Sequence, residues 1–150
     1  MNTRFRLKRF YAFICAHALF VILPLILAIS IYVIFRPYPP DNLVPFLKWL
    51  SPPRLYLNSD FDWLVYNVPD GLWAFSFTSF LIIHTRSDSS RVRWLCMSTG
   101  LTTMIVLELM QIHWVAGRFD FLDITAILLG FLCSLLLLRK LKGMKCLSTL

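Results

Sequence analysis

Residues 10–35 decide the fold, and they read FYAFICAHALFVILPLILAISIYVIF. The run has no charged side chain, and only His17 and Pro24 interrupt its apolar character. A helix needs about 20 apolar residues to cross the hydrocarbon core of a bilayer. A signal peptide has a shorter apolar region of about 7–15 residues. The run therefore predicts an uncleaved membrane-spanning helix rather than a signal peptide.

Three further apolar segments follow, at about residues 66–84, 94–115 and 121–138. The second is short for a span and contains Ser76, Thr78 and Ser79. The last two are joined by a short connection, residues 116–120, which makes them an antiparallel pair. The sequence thus predicts an all-α membrane protein with four transmembrane helices in one integral membrane domain, residues 1–150.

The composition agrees with a membrane protein. Hydrophobic residues make up 58% of the chain and charged residues only 15%, which leaves too little polar surface for a soluble domain. The net charge of +7 comes from basic residues beside apolar runs, where they act as topology signals. We therefore expect membrane lipids as partners, with other membrane proteins or further copies of the chain, and no nucleic acid.

The distribution of Lys and Arg predicts the orientation of the helices, because these residues accumulate on the cytoplasmic side. Eleven of the 15 lie in the N-terminal stretch, the second connection and the C-terminal tail. The other four, Arg36, Lys48, Arg54 and Arg118, lie in the first and third connections. Both termini are therefore predicted to be cytoplasmic.

The first outer connection, residues 36–68, is rich in proline and aromatic residues. Its six prolines preclude a long regular helix. Aromatic rings with one polar edge favour the headgroup layer, so the loop is expected to lie on the membrane. It is interpreted either as an ordinary anchor belt, which we favour, or as a lid over a substrate.

Glu108 is the one acidic residue well inside an apolar run, and Gln111 follows it on the same helix face. An ionised carboxylate costs at least about 2–3 kcal/mol at the centre of a membrane helix, so Glu108 is expected to face the helix bundle and to have a partner. Arg118 is the nearest cation along the sequence. Two interpretations stay open: a structural clamp between helix ends, or a site for a ligand or a proton.

Three aspartates are expected at the outer ends of the neighbouring helices. Asp120 suits the N-cap of the last helix, and Asp123 then occupies the third helical position, where it is also able to turn towards Glu108. Asp70 follows Pro69 in the first turn of the second span, at the positive end of the helix dipole. Capping explains Asp120 well and Asp123 only in part.

Metal and cofactor signatures are missing from the sequence. The four cysteines have no CxxC spacing, and the histidines at positions 17, 84 and 113 are not expected to meet at one site. The chain also lacks a Ser-His-Asp order, a glycine-rich phosphate loop and an HExxH motif. We predict no metal and no cofactor.

Several polar positions match a known family in chain order. The residues are Glu108-Leu-Met-Gln111, Gly117-Arg118-Phe-Asp120-Phe-Leu-Asp123, then Ala126 and Gly130, preceded by Pro69-Asp70-Gly71-Leu72-Trp73. Over about residues 65–135 the chain resembles the VanZ-like family of small bacterial membrane proteins. One departure is Ile127, where many members have asparagine. The resemblance implies a multi-pass protein of the bacterial cytoplasmic membrane, of a kind associated with tolerance to glycopeptide antibiotics.

Two functions follow as expectations. The first is an outer-leaflet site that binds or modifies an envelope lipid or cell-wall component. Its candidate catalytic residues are Glu108 and Asp123, and its candidate ligand-binding residues are Asp70, Gln111, Arg118 and Asp120. Whether such a site only binds or also performs acid–base chemistry stays open. The alternative is a structural or assembly subunit of a larger membrane complex, in which the polar cluster holds the helices together.

Overall fold

The computed structural model describes residues 3–35, 61–114 and 119–142, and these residues form helices and turns only. The helices, numbered in chain order, are α1 (Thr3–His17), α2 (Leu23–Phe35), α3 (Asp62–Tyr66), α4 (Val68–His84), α5 (Ser90–Met110) and α6 (Phe121–Lys142). The all-α prediction is confirmed for this part of the chain. Most of the aromatic and proline-rich loop, residues 36–60, lies outside the described residues, and the end of the predicted loop contains α3.

A π-helical turn, Ala18–Ile22, joins α1 to α2 into one continuous helical segment. Proline at position 24 has no backbone N–H and its ring crowds the preceding turn, which accounts for the irregular segment just before it. The Ser76 hydroxyl of α4 donates to the Val21 carbonyl over 2.7 Å. A neighbouring helix thus satisfies a backbone group in the irregular turn.

The connection between α4 and α5 is a tight turn on the predicted cytoplasmic side. A 3-10 turn, Thr85–Ser87, follows α4, and Ser89 caps α5 by accepting a hydrogen bond from the Val92 amide. The Arg93 guanidinium donates to the carbonyls of Thr85, Arg86 and Asp88. The basic side chain therefore closes the turn, in addition to any role as a topology signal.

Two helices have ends that differ from those of the predicted spans. The span placed at 94–115 is a helix from Ser90 to Met110, because Ser89 caps it early and residues 111–114 form a turn. The helix that contains the predicted span 121–138 continues beyond it to Lys142. The first correction moves Glu108 from the body of a helix into its last turn.

α4 lies at the centre of the described fold and contacts α2, α3, α5 and α6, most extensively α6. Its buried residues are mostly small or polar: Pro69, Ala74, Ser76, Thr78, Ser79 and Ile82. The small side chains let α6 approach closely, since a Cβ on Gly130 would overlap the carbonyl oxygen of Gly71. This explains why a short, polar segment lies among strongly apolar ones: the polar side chains Ser76, Thr78 and Ser79 of α4 are covered by protein.

Two helical segments are long and apolar enough to cross a membrane among the residues that the structure describes. They are Phe10–Phe35 and Ser90–Met110, of 26 and 21 residues. A signal sequence or the core helix of a soluble protein meets the same criterion of length and composition. Two other helical segments are shorter than these candidate spans. They are the apolar part of α6, Phe121–Leu137, and the whole of α4.

A buried hydroxyl pair ties α4 to α6, and it gives a first test of the packing. Ser79 and Ser134 are both fully buried, and their hydroxyls lie 2.9 Å apart. Replacing Ser134 by alanine leaves the Ser79 hydroxyl without this partner, so we expect a loss of about 0.6 kcal/mol of unfolding free energy, typical of such bonds in membrane proteins. Unfolding in mixed detergent and dodecyl sulfate micelles measures it. The control is Ser98→Ala, whose exposed hydroxyl bonds only within α5; an equal loss in both variants would contradict the assignment.

Candidate outer carboxyl site

Glu108 lies in the last turn of α5 and is 6% exposed. Its Oε2 atom accepts a hydrogen bond of 2.8 Å from the Gln111 amide, one turn further on. The pairing follows from the spacing of three residues, which places both side chains on one helix face. Glu108 and Gln111 therefore share one helix face, as their spacing predicts.

The start of α6 brings two aspartates to this helix end in different roles. Asp120 is exposed, and its Oδ1 atom accepts a hydrogen bond of 3.0 Å from the Leu122 amide, which is N-cap geometry. Asp123 is 8% exposed and faces into the protein. Asp120 is therefore the cap that the sequence predicts, whereas Asp123 joins the buried cluster.

Asn67 holds Asp123 in place, and sequence reasoning missed it. It lies in the turn between α3 and α4, is 6% exposed, and donates from Nδ2 to Asp123 Oδ1 over 2.6 Å. Asparagine immediately before a helix is a common N-cap residue, so sequence reasoning would assign its side chain to its own helix. Instead, Asn67 makes no side-chain cap bond and reaches across to α6.

The carboxyl groups of Glu108 and Asp123 face each other. The Asp123 carboxyl acts on Glu108 by its charge and as a side-chain hydrogen-bond neighbour, and Asp120 acts on Glu108 by its charge and through its backbone. Oε1 of Glu108 is buried and has no hydrogen-bond partner among the described residues. A buried polar atom without a partner costs about 1–3 kcal/mol, and more when it is charged. Two facing carboxylates also repel unless they share a proton or a positively polarised group.

Two further predicted site residues, Asp70 and Arg118, are not among the contacts described so far. Asp70 is half-buried in the first turn of α4, three residues after Asn67. Arg118 lies outside the described residues. The structure therefore brings together Glu108, Gln111 and Asp123, adds Asn67, and uses Asp120 as a cap. We call Asn67, Glu108, Gln111 and Asp123 the outer carboxyl site, after the side of the membrane on which the sequence predicts them.

The outer carboxyl site is suited to hydrogen-bond donors. Its two carboxyl groups supply acceptor atoms, and the amides of Asn67 and Gln111 orient them. The acceptor atom without a donor of ordinary geometry is Glu108 Oε1, which is able to accept a hydrogen bond from an ammonium or hydroxyl group or to take up a proton. No group of three metal-ligating side chains occurs among the described residues.

The histidines are arranged differently from what their sequence positions suggest. His113 is exposed in the turn after α5, whereas the rings of His17 and His84 lie in contact, with centroids 5.0 Å apart. Sequence reasoning missed this pair, because nothing in the sequence shows which faces of α1 and α4 meet.

Comparison of the chain with protein-family models, with curated proteins and with solved structures finds no match.

Proposed function

We propose that the chain is a multi-pass protein of the bacterial cytoplasmic membrane, of the VanZ-like type. In this proposal four helices span the membrane, with both termini in the cytoplasm. The outer carboxyl site binds the ammonium or hydroxyl groups of an envelope lipid or cell-wall component. The observation that carries the proposal is the buried carboxyl of Glu108 beside that of Asp123: its Oε1 atom accepts no hydrogen bond of ordinary geometry from the described residues.

The apolar surface that the helices expose supports membrane insertion. Only 11% and 17% of the most apolar windows in Phe10–Phe35 and Ser90–Met110 are buried inside the protein. Large apolar side chains point outwards, including Leu95, Leu129 and Leu136, which are 67%, 57% and 64% exposed. Soluble monomers rarely expose such continuous apolar surface. A lipid environment covers it without a further protein.

The chemistry of the site favours a ligand that donates hydrogen bonds. Glu108 and Asp123 supply acceptors in a setting from which most water is excluded, so bonds to a charged donor are strong. An ammonium group also removes the repulsion between the two carboxylates. Ethanolamine headgroups and the amino and hydroxyl groups of cell-wall fragments share this chemistry. As an acid–base enzyme, the same site would use Glu108 to accept the proton.

A binding experiment separates these ligand sources. Protein in detergent micelles is titrated calorimetrically with glycerophosphoethanolamine and, separately, with muramyl dipeptide. We expect one probe to bind and Glu108→Gln to weaken its binding at least tenfold. Glutamine keeps the shape of the side chain and an acceptor for Gln111 but removes the charge.

The matched control is Asp88→Asn, at an exposed acid in the turn on the predicted cytoplasmic side, which is expected to leave binding unchanged. Absence of binding by both probes would overturn the proposed ligand classes, and equal loss of binding in both variants would overturn the site.

The link to glycopeptide tolerance is tested in a susceptible bacterium: Glu108→Gln should abolish any protection at an unchanged protein level. Loss of the protein itself would count against a ligand site.

A second function is favoured by one specific observation, the hydrogen bond from Asn67 to Asp123. It joins the turn before α4 to the start of α6, so the polar cluster also fastens two helices. In this alternative the protein is a structural or assembly subunit of a larger membrane complex, and its partner is another membrane protein. Crosslinking in native membranes tests it: a constant heterologous partner would support it, and a lone or self-paired chain would exclude a hetero-complex.

A further inference from the structure

His17 of α1 and His84 of α4 form a pair at the predicted cytoplasmic end of the helices. Their rings are perpendicular, with centroids 5.0 Å apart. Each ring also packs on a phenylalanine of its own helix, Phe13 at 4.1 Å and Phe80 at 4.0 Å. The aromatic neighbours therefore hold both imidazoles in defined positions.

The hydrogen bonds select one tautomer for both rings. His17 Nδ1 lies 2.9 Å from the Phe13 carbonyl, and His84 Nδ1 lies 3.1 Å from the Phe80 carbonyl. A carbonyl only accepts, so each Nδ1 carries the hydrogen and donates it. Each Nε2 then has a free lone pair. The Nε2 atom of His17 is buried and has no hydrogen-bond partner among the described residues.

These features match those of histidines that bind metals. Metal-ligating histidines commonly donate their second N–H to a backbone carbonyl, which fixes the tautomer and the ring orientation. At a Zn–N distance of about 2.0–2.1 Å, two imidazoles on one tetrahedral ion have ring centroids roughly 5 Å apart. The observed separation of 5.0 Å agrees with this value, and it is also a usual distance for an edge-type contact of two aromatic rings.

We propose that His17 and His84 together bind a transition-metal ion through their Nε2 atoms, with Zn²⁺ or Cu²⁺ among the ions that imidazole suits. Water completes the coordination, since His84 is exposed at the end of α4 and open to solvent. The site is separate from the outer carboxyl site and does not depend on the function proposed for it.

Metal titration of the tag-free protein in detergent tests the proposal. Equilibrium dialysis against Zn²⁺ is expected to show one ion per chain. His17→Gln and His84→Gln should each weaken binding at least tenfold, because one imidazole alone is a poor site. His113→Gln is the matched control, since its exposed ring lies in the turn at the other end of α5, and it should bind as the unaltered protein does.

A second measurement uses the unaltered protein and detects the ligands of the ion directly. The electron paramagnetic resonance spectrum of the unaltered protein with one equivalent of Cu²⁺ should show coupling to two imidazole nitrogens. Zinc binding that persists in the double variant His17→Gln/His84→Gln, or a Cu²⁺ spectrum with no nitrogen coupling, would overturn the proposal. Circular dichroism of each variant shows whether the helices are retained.

Discussion

Replacing Gly130 by alanine is expected to cost on the order of 3 kcal/mol of unfolding free energy, at the upper end of typical overpacking penalties. The added Cβ would overlap the carbonyl oxygen of Gly71 and lie 3.1 Å from the Phe75 amide nitrogen. Both neighbours are backbone of α4, which is unable to rotate away as a side chain does. The helices must separate, and their contact is the most extensive in the described fold.

The sign of this effect distinguishes packing from helix propensity. Within an isolated helix, alanine is about 1 kcal/mol more favourable than glycine, so a helix without a close neighbour would gain stability. The control is Gly100→Ala in α5, whose added Cβ meets the ends of the Phe77 and Leu81 side chains. These side chains are free to move, so a smaller loss is expected. Unfolding in mixed micelles and the protein level in membranes measure both variants; a stabilised Gly130→Ala would contradict the helix contact.

Replacing Asn67 by alanine is expected to cost about 3 kcal/mol, because it removes the donor from a buried carboxylate. The bond from Asn67 Nδ2 to Asp123 Oδ1 is short, at 2.6 Å, and both residues are more than nine-tenths buried. Without this hydrogen bond, no amide donor offsets the negative charge of Asp123 beside the Glu108 carboxyl. The same unfolding measurement applies.

A double-variant cycle shows whether this cost comes from the unpaired carboxylate. Removing both partners, in Asn67→Ala/Asp123→Ala, should recover part of the loss, since no buried charge is then left without its donor. The control on the same helix is Asp120→Ala, which removes an exposed cap and should cost about 1 kcal/mol. Additive losses at positions 67 and 123 would mean that the two residues are not coupled.

The local features of the fold were largely predictable from sequence. The apolar run 10–35, the cap at Asp120 and the pairing of Glu108 with Gln111 each depend on a few consecutive residues or on spacing along one helix. Helix ends were less predictable. Apolar composition placed the third helix at 94–115, but the Ser89 cap and the turn after Met110 set its limits.

The relations between helices were decided only by the tertiary structure. The pairs Asn67 with Asp123, Gly71 with Gly130 and His17 with His84 each join residues more than fifty positions apart. The physical reason lies in the helices themselves. A helix that is apolar nearly all round has no sequence pattern that marks its inward face, so its rotation about its own axis follows from packing. The sequence by itself determined that these segments are apolar helices with a costly acid at Glu108; tertiary packing decided that Asp123, held by Asn67, lies beside that acid.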